Sequence, residues 1–212
     1  MSSSANLALY YERLDRAYGI GLLLRWVPFV RLVGLNGSMI TGTMKPSSDI
    51  DFYVATAPER LYTTRLLVVL VVQLTGWRRY GSKIRGRICL NRFATTAALE
   101  ITPHNNYHAQ VFSGLAPLYA HHQTYRAYFD ANEWMEYNFY RRRVHRTERL
   151  APNLAQFSRR LYEGLLSGWL GDFVEAKLAR WQQRRILADP RTSAARGRVR
   201  VSQEELCLHP LK

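Results

Sequence analysis

The chain has 212 residues, 47% of them apolar, which is enough for one folded domain or a domain with a helical appendage and excludes an intrinsically disordered protein. Lys and Arg number 30 against 16 Asp and Glu, a formal charge of +14 that favours polyanionic partners or substrates over acidic ones. The two cysteines, Cys89 and Cys207, are too few for a disulfide framework or a zinc site of the usual kind, so a reducing, cytoplasmic compartment is expected. The longest apolar run, residues 66–72, is far shorter than the ~20 residues of a spanning helix. The first charges, Glu12 and Arg13, lie inside an amphipathic stretch, which is not the basic-then-apolar order of a signal peptide; no membrane association is expected.

Apolar residues recur at helical spacing before Pro28 (Leu7, Tyr10, Tyr11, Leu14, Ala17, Tyr18), which predicts a leading helix within residues 1–27. Residues 30–35 form a β-branched and leucine run ending in Asn36-Gly37-Ser38, and residues 50–55 alternate after Pro46-Ser47-Ser48. These patterns predict two strands joined by a polar loop. Pro58 and Glu59 stand where a helix would start; length makes residues 60–75 a helix, although their valines also suit a strand. Residues 87–94 and 98–102 read as a strand hairpin around Thr95-Thr96.

From Asn105 the pattern turns helical, with a break at Pro117, an aromatic stretch over 119–140 and a long helix over 154–187 interrupted at Gly164, Gly168 and Gly171. A basic tail over 189–212, poor in apolar residues at its start, is expected to be mobile. Residues 139–212 carry 16 Lys and Arg against 7 acids, so the basic surplus lies late in the chain. The fold class expected from these elements is α/β (α+β), with a helical region over 116–188.

The stretch that carries chemistry is Val33-Gly34-Leu35-Asn36-Gly37-Ser38, ten residues of loop, then Asp49-Ile50-Asp51-Phe52-Tyr53-Val54. On a strand, side chains two apart project from one face, so Asp49 and Asp51 point together while Ile50 and Phe52 enter a core. Paired carboxylates repel unless a cation lies between them, and hard oxygen ligands of this kind suit Mg²⁺, which completes its shell with water and phosphate oxygens. A Gly-Ser turn beside them offers backbone N–H groups and a hydroxyl to a phosphate. A polar turn and a solvated strand would give the same residues without function, but an apolar strand into Gly-Ser and a second apolar strand opening on Asp-Ile-Asp make a fuller pattern.

In these residues the chain resembles the polymerase-β-like nucleotidyltransferase superfamily. Its signature is an apolar residue, Gly, Gly or Ser, a spacer of about ten residues, then carboxylate, apolar residue, carboxylate; Asn36-Gly37-Ser38 and Asp49-Ile50-Asp51 fill it over a resemblance spanning roughly residues 28–103. The small stand-alone bacterial and archaeal domains are the most similar members. The resemblance implies a mixed sheet backed by helices, a catalytic domain over 28–115, and transfer of a nucleoside monophosphate from an NTP, ATP by default, to a hydroxyl with release of pyrophosphate. It further implies that Gly37 and Ser38 hold the triphosphate and that Asp49 and Asp51 ligate Mg²⁺ or Mn²⁺. A third carboxylate comes from a later strand in that family. Glu100, between Leu99 and Ile101, is the preferred candidate, and Asn91 the competing occupant, with an amide in place of the acid. The alternative reading is a catalytically degenerate nucleotide- or RNA-binding protein on the same fold.

Arg60 and Arg65 follow the carboxylate strand and could fork onto triphosphate oxygens or simply face solvent, as could Lys45 in the loop before Asp49. His104 and His108 have helical metal-ligand spacing without an accompanying acid or Cys motif, and Cys89 among apolar neighbours reads as a buried thiol. Arg141-Arg142-Arg143-Val144-His145-Arg146, with Arg149, Arg159 and Arg160, follows Tyr125, Tyr128, Phe129, Trp134, Tyr137, Phe139 and Tyr140. Basic and aromatic residues together can grip RNA, while the same aromatics can be the core of a helical subdomain. The basic C-terminal third tilts the acceptor towards RNA, and the helical region also suits a protein partner.

Overall fold

In a computed structural model, residues 3–135, 153–190, 192 and 199–208 are described. They form a six-stranded mixed sheet backed by seven α-helices. In chain order these are α1 (Ser3–Leu24), β1 (Val30–Asn36), α2 (Ser38–Thr41), β2 (Ile50–Thr56), α3 (Leu61–Leu74), β3 (Ile88–Thr95), α4 (Asn106–Phe112), β4 (Ala116–Ala120), α5 (His122–Asp130), α6 (Asn153–Leu165), α7 (Gly168–Leu187), β5 (Arg200–Val201) and β6 (Glu205–Cys207). The strand order is β4-β1-β2-β3-β6-β5, with β1 and β2 antiparallel, β2 and β3 parallel, and β6 antiparallel to β3. No described helix is long and apolar enough to cross a membrane.

The period-two pattern of β2 divides the interior. Ile50, Phe52 and Val54 join a core with Ala17, Ile20 and Leu24 of α1, Leu61, Val68 and Val72 of α3 and Ala179 of α7. Tyr53 and Ala55 enter a second core on the opposite face with Ala109 and Phe112 of α4 and Tyr128 of α5. Because alternate residues share a face, Asp51 lies on the side of Tyr53, at the end of the strand that the second core does not cover. The valines of α3 do not make it a strand: its length and one-sided burial, with Val68 and Val72 inside and Leu70 and Leu74 outside, fit a helix laid on the sheet.

Two helices are tied by hydrogen bonds that fix where the sheet's first core ends. The start of α3 has no side-chain cap of its own; Glu175 of α7 accepts from Tyr62 N (2.7 Å) and Thr63 N (2.8 Å) instead. Arg60 pairs with Asp172 at 2.6 Å and donates to Leu166 O, and Arg65 donates to Gln182 Oε1 at 2.6 Å. Both arginines therefore clamp α7 onto α3.

Three sequence expectations change here. Residues 98–102 form no strand, so β3 has no hairpin partner there. Pro117 does not break a helix; it sits in β4, the edge strand beside β1, where a missing N–H is tolerated. Residues within the expected mobile tail instead form β5 and β6 and extend the sheet beyond β3. That extension is held by charge: Glu205 of β6 pairs with Arg92 of β3, which is 2% exposed, and with Arg200 at 3.1 Å.

Removing one partner of a buried ion pair leaves the other charge uncompensated. Glu205→Ala is expected to lower unfolding stability by about 3–5 kcal/mol, and Glu205→Gln, which keeps an acceptor, by clearly less. Urea denaturation of the two variants checks this; equal and small losses would show that Arg92 does not need its partner.

Candidate functional site

The ends of β1, β2 and β3 and the helix α4 enclose a cavity of about 350 Å³ lined by Gly37, Ser38, Asp49, Asp51, Asn91 and His108, among others. The antiparallel register sets Asn36 beside Asp51, and the parallel register sets Cys89 beside it on the other flank. Gly37 turns the chain from β1 into α2 with φ +70°, and a Cβ at that position would collide with the Asp51 carboxylate. Glycine is required there twice over, for the left-handed backbone and for the close approach. Ser38 follows as the first residue of α2 and lines the cavity.

Asp49 ends a loop that is held from below by α1. Arg13, 1% exposed, donates to Lys45 O at 2.9 Å and to Pro46 O at 2.5 Å, fixing the loop just before the carboxylate. Lys45 itself is exposed and does not line the cavity. Arg79, from the segment leading into β3, donates through Nη1 to Asp49 Oδ2 (2.5 Å) and to Cys89 Sγ (3.3 Å). A carboxylate oxygen from each aspartate and Cys89 Sγ lie within 4.8 Å of one another, a cluster that could hold a metal ion.

Burial and the neighbouring Asp49 push the Asp51 carboxyl up to about 7, against the opposing pull of Arg79 and hydrogen bonds from Cys89 and Asn91. Burial and the two aspartates likewise raise the Cys89 thiol. Asn91 Nδ2 donates to Asp51 Oδ1 at 3.1 Å, while its Oδ1 is buried with no hydrogen-bond partner among the described residues. The same holds for Oδ1 of Asn36, which is 2% exposed.

The β3 amide that reaches the Asp51 carboxylate is thus Asn91, and Glu100 is elsewhere. Asn91 follows Cys89 by two residues and so shares its face with Asp51, and the register step from Phe52↔Leu90 to Tyr53↔Arg92 is a bulge that brings Arg92 to that face as well. Glu100 has an exposed side chain, bonds His104 Nε2 at 2.8 Å and lines a separate hollow with Ala127 and Arg200. Arg60 and Arg65, engaged with α7, do not line the cavity that Asp49 and Asp51 share. The structure brings together Gly37, Ser38, Asp49 and Asp51 and leaves Glu100, Arg60 and Arg65 outside.

Among the described residues, His104 and His108 do not converge on a metal site. His104 stacks on Trp134 with ring centroids 4.3 Å apart, and His108 places Nδ1 2.8 Å from Pro103 O. A carbonyl only accepts, so Nδ1 of His108 carries the proton, and burial holds the ring towards its neutral form. His108 and Tyr107 of α4 line the cavity, as does Cys207 of β6. His108 stood out in the sequence only as one of a helical histidine pair, and Cys207 gave no signal because β6 reaches the site through its pairing with β3. The aromatic residues Tyr128, Phe129 and Trp134 pack in or against the second core, and Arg159 bonds Tyr119 and Glu163. Arg141 to Arg146 and Arg149 lie outside the described residues.

A group that ionises near pH 4 when unfolded but near 7 when folded holds an extra proton in the folded state between those values. Its contribution to stability is therefore fully present at low pH and lost as the pH rises through about 7. In chelator-treated protein, Asp51→Asn is expected to be more stable than wild type at pH 8 by about 2–4 kcal/mol, with the gap closing as the pH falls to about 4. Thermal or urea unfolding across that range checks the sign; a gap independent of pH would refute the shifted carboxyl. No protein-family model matches the chain and no curated protein matches its sequence, so the reading of this site rests on its own residues.

Proposed function

We propose that the cavity binds a nucleoside triphosphate together with a divalent cation, and that its chemistry is transfer of the nucleoside monophosphate to a hydroxyl with release of pyrophosphate. The observation that carries this reading is the convergence of Asp49 and Asp51 on one cavity floor directly beside the Gly37-Ser38 turn. The donor set fits the group: the carboxylates oppose each other in a buried setting, and unpartnered oxygens of Asn36 and Asn91 line the same cavity. A bound cation, Mg²⁺ or Mn²⁺ by analogy with the resembled superfamily, supplies charge neutralisation of the phosphates.

Each residue of the chain has a task in this reading. Asp49 and Asp51 hold the cation, the Asp51 proton leaving on binding. Gly37 keeps the space in front of Asp51 clear, and the Ser38 hydroxyl stands at the turn for a phosphate oxygen. ATP is the default triphosphate, and the charge of +14 favours an RNA hydroxyl as acceptor.

A second reading, a nucleotide-binding protein without transfer, is favoured by Asn91. An amide is neutral, so the described residues offer two carboxylates where the resembled enzymes present three. In-line transfer depends on metal charge at both the attacking and the leaving oxygen, and a site short of one acid holds its second ion weakly.

Calorimetric titration with ATP and the other NTPs, with and without Mg²⁺, is expected to show metal-dependent binding that the Asp49→Ala/Asp51→Ala double variant loses. No NTP binding by folded wild type would end both readings. Pyrophosphate release with an RNA acceptor then separates them: transfer by wild type supports the enzyme, whereas binding without release supports the second reading. In the enzyme reading, Asn91→Asp is expected to raise the release rate by about tenfold or more, equivalent to about 1.4 kcal/mol of barrier.

A further inference from the structure

Cys89 belongs to the carboxylate cluster by position and by contact. It lies beside Asp51 in the β2–β3 register, and its Sγ falls within 4.8 Å of the aspartate ligand oxygens. The Arg79 guanidinium already touches both Asp49 Oδ2 and Cys89 Sγ through a single nitrogen, so the sulfur faces the same point of positive charge as the carboxylate. An independent feature of the same cavity is a buried acceptor without a protein partner. Asn36, 2% exposed and beside Asp51 on the opposite flank, lines the cavity with an Oδ1 that has no hydrogen-bond partner among the described residues.

We propose that this site is a mixed thiolate–dicarboxylate centre selective for a thiophilic divalent cation of the zinc and cobalt class, with Cys89 as its third protein ligand. The inference rests on the metal-dependent reading above and changes the identity of the ion. Mg²⁺ takes oxygen ligands and gains nothing from sulfur, whereas Zn²⁺ and Co²⁺ accept thiolate, carboxylate and a remaining water or phosphate oxygen in one shell. On binding, Cys89 releases its S–H proton to solvent, the sulfur lone pair forms the metal bond, and Arg79 gives up its contact with Sγ. No oxidant or reductant is involved. The amide oxygens of Asn36 and Asn91 add neutral acceptors around the cation without adding charge.

The test uses Cys207→Ser protein, in which Cys89 is the sole thiol of the chain. Titrating chelator-stripped protein with Co²⁺ under anaerobic conditions is expected to raise a thiolate-to-cobalt charge-transfer absorption in the near ultraviolet, saturating at one equivalent. The absorption is expected to vanish in Cys89→Ser, with Cd²⁺ and Zn²⁺ affinity falling by about tenfold or more and Mn²⁺ affinity changing by less than about threefold. One equivalent of Co²⁺ bound without the absorption in the Cys207→Ser protein overturns the proposal, and this readout does not depend on Cys89→Ser folding. If Mg²⁺-dependent ATP binding persists in that case, only the thiolate ligand is lost and the nucleotide reading stands. If no ion binds at all, both fall.

Discussion

Two carboxylates on one face of a buried strand end impose the condition that the rest of the molecule meets. In a low-dielectric setting, charges a few ångströms apart cost far more than in water, so Asp49 and Asp51 persist only with compensation around them. Each neighbour supplies some: Arg79 neutralises Asp49, Asn91 donates to Asp51, and burial keeps the Asp51 proton in place up to about 7. Such an arrangement is compensated without a cation, and in the proposed reading a metal would replace the Asp51 and Cys89 protons and one guanidinium contact.

The scaffold serves that arrangement from a distance. Arg13 on α1 holds the loop that ends in Asp49, so the helix at the far face of the sheet fixes one carboxylate. The clamp between α3 and α7, through Glu175, Arg60 and Arg65, closes the first core behind Ile50 and Phe52 and thereby stiffens the strand that carries Asp51. On the other flank β6 covers the outer edge of β3, placing Cys207 at the cavity and satisfying Arg92 with Glu205.

Local chemistry was readable in the sequence; long-range pairing was not. The helices α1 and α3 and the strands β1, β2 and β3 announce themselves through period and turn residues, and Gly37, Ser38, Asp49 and Asp51 come together because they flank a single short loop. Glu100 looked like a ligand because apolar neighbours imitate a strand, but Leu99 and Ile101 are buried from an irregular segment that bonds Asn132, leaving Glu100 outward. Asn91, the competing candidate, reaches the site by alternation from Cys89, whereas Arg92 joins it through a one-residue bulge that no pattern in residues 87–94 marks. Arg60 and Arg65 looked available because their partners, Asp172 and Gln182, are more than a hundred residues away. The strands β5 and β6 are too short for a period-two signal, and Glu205 reads as a surface acid until Arg92 is seen beneath it.

A basic chain with an acidic cavity sets its own terms for an anionic ligand. Of the cavity's charged residues, Asp49 and Asp51 are negative and Arg92 is paired with Glu205, while Arg60 and Arg65, the arginines best placed in sequence to meet a phosphate, are committed to α7. A triphosphate entering without a cation would meet two carboxylates and gain little beyond the Gly37-Ser38 turn. In the proposed reading, the same ligand arriving with a divalent ion has its charge bridged to the aspartates, and a cation dependence of binding is what that reading expects from guanidinium groups the fold has already used.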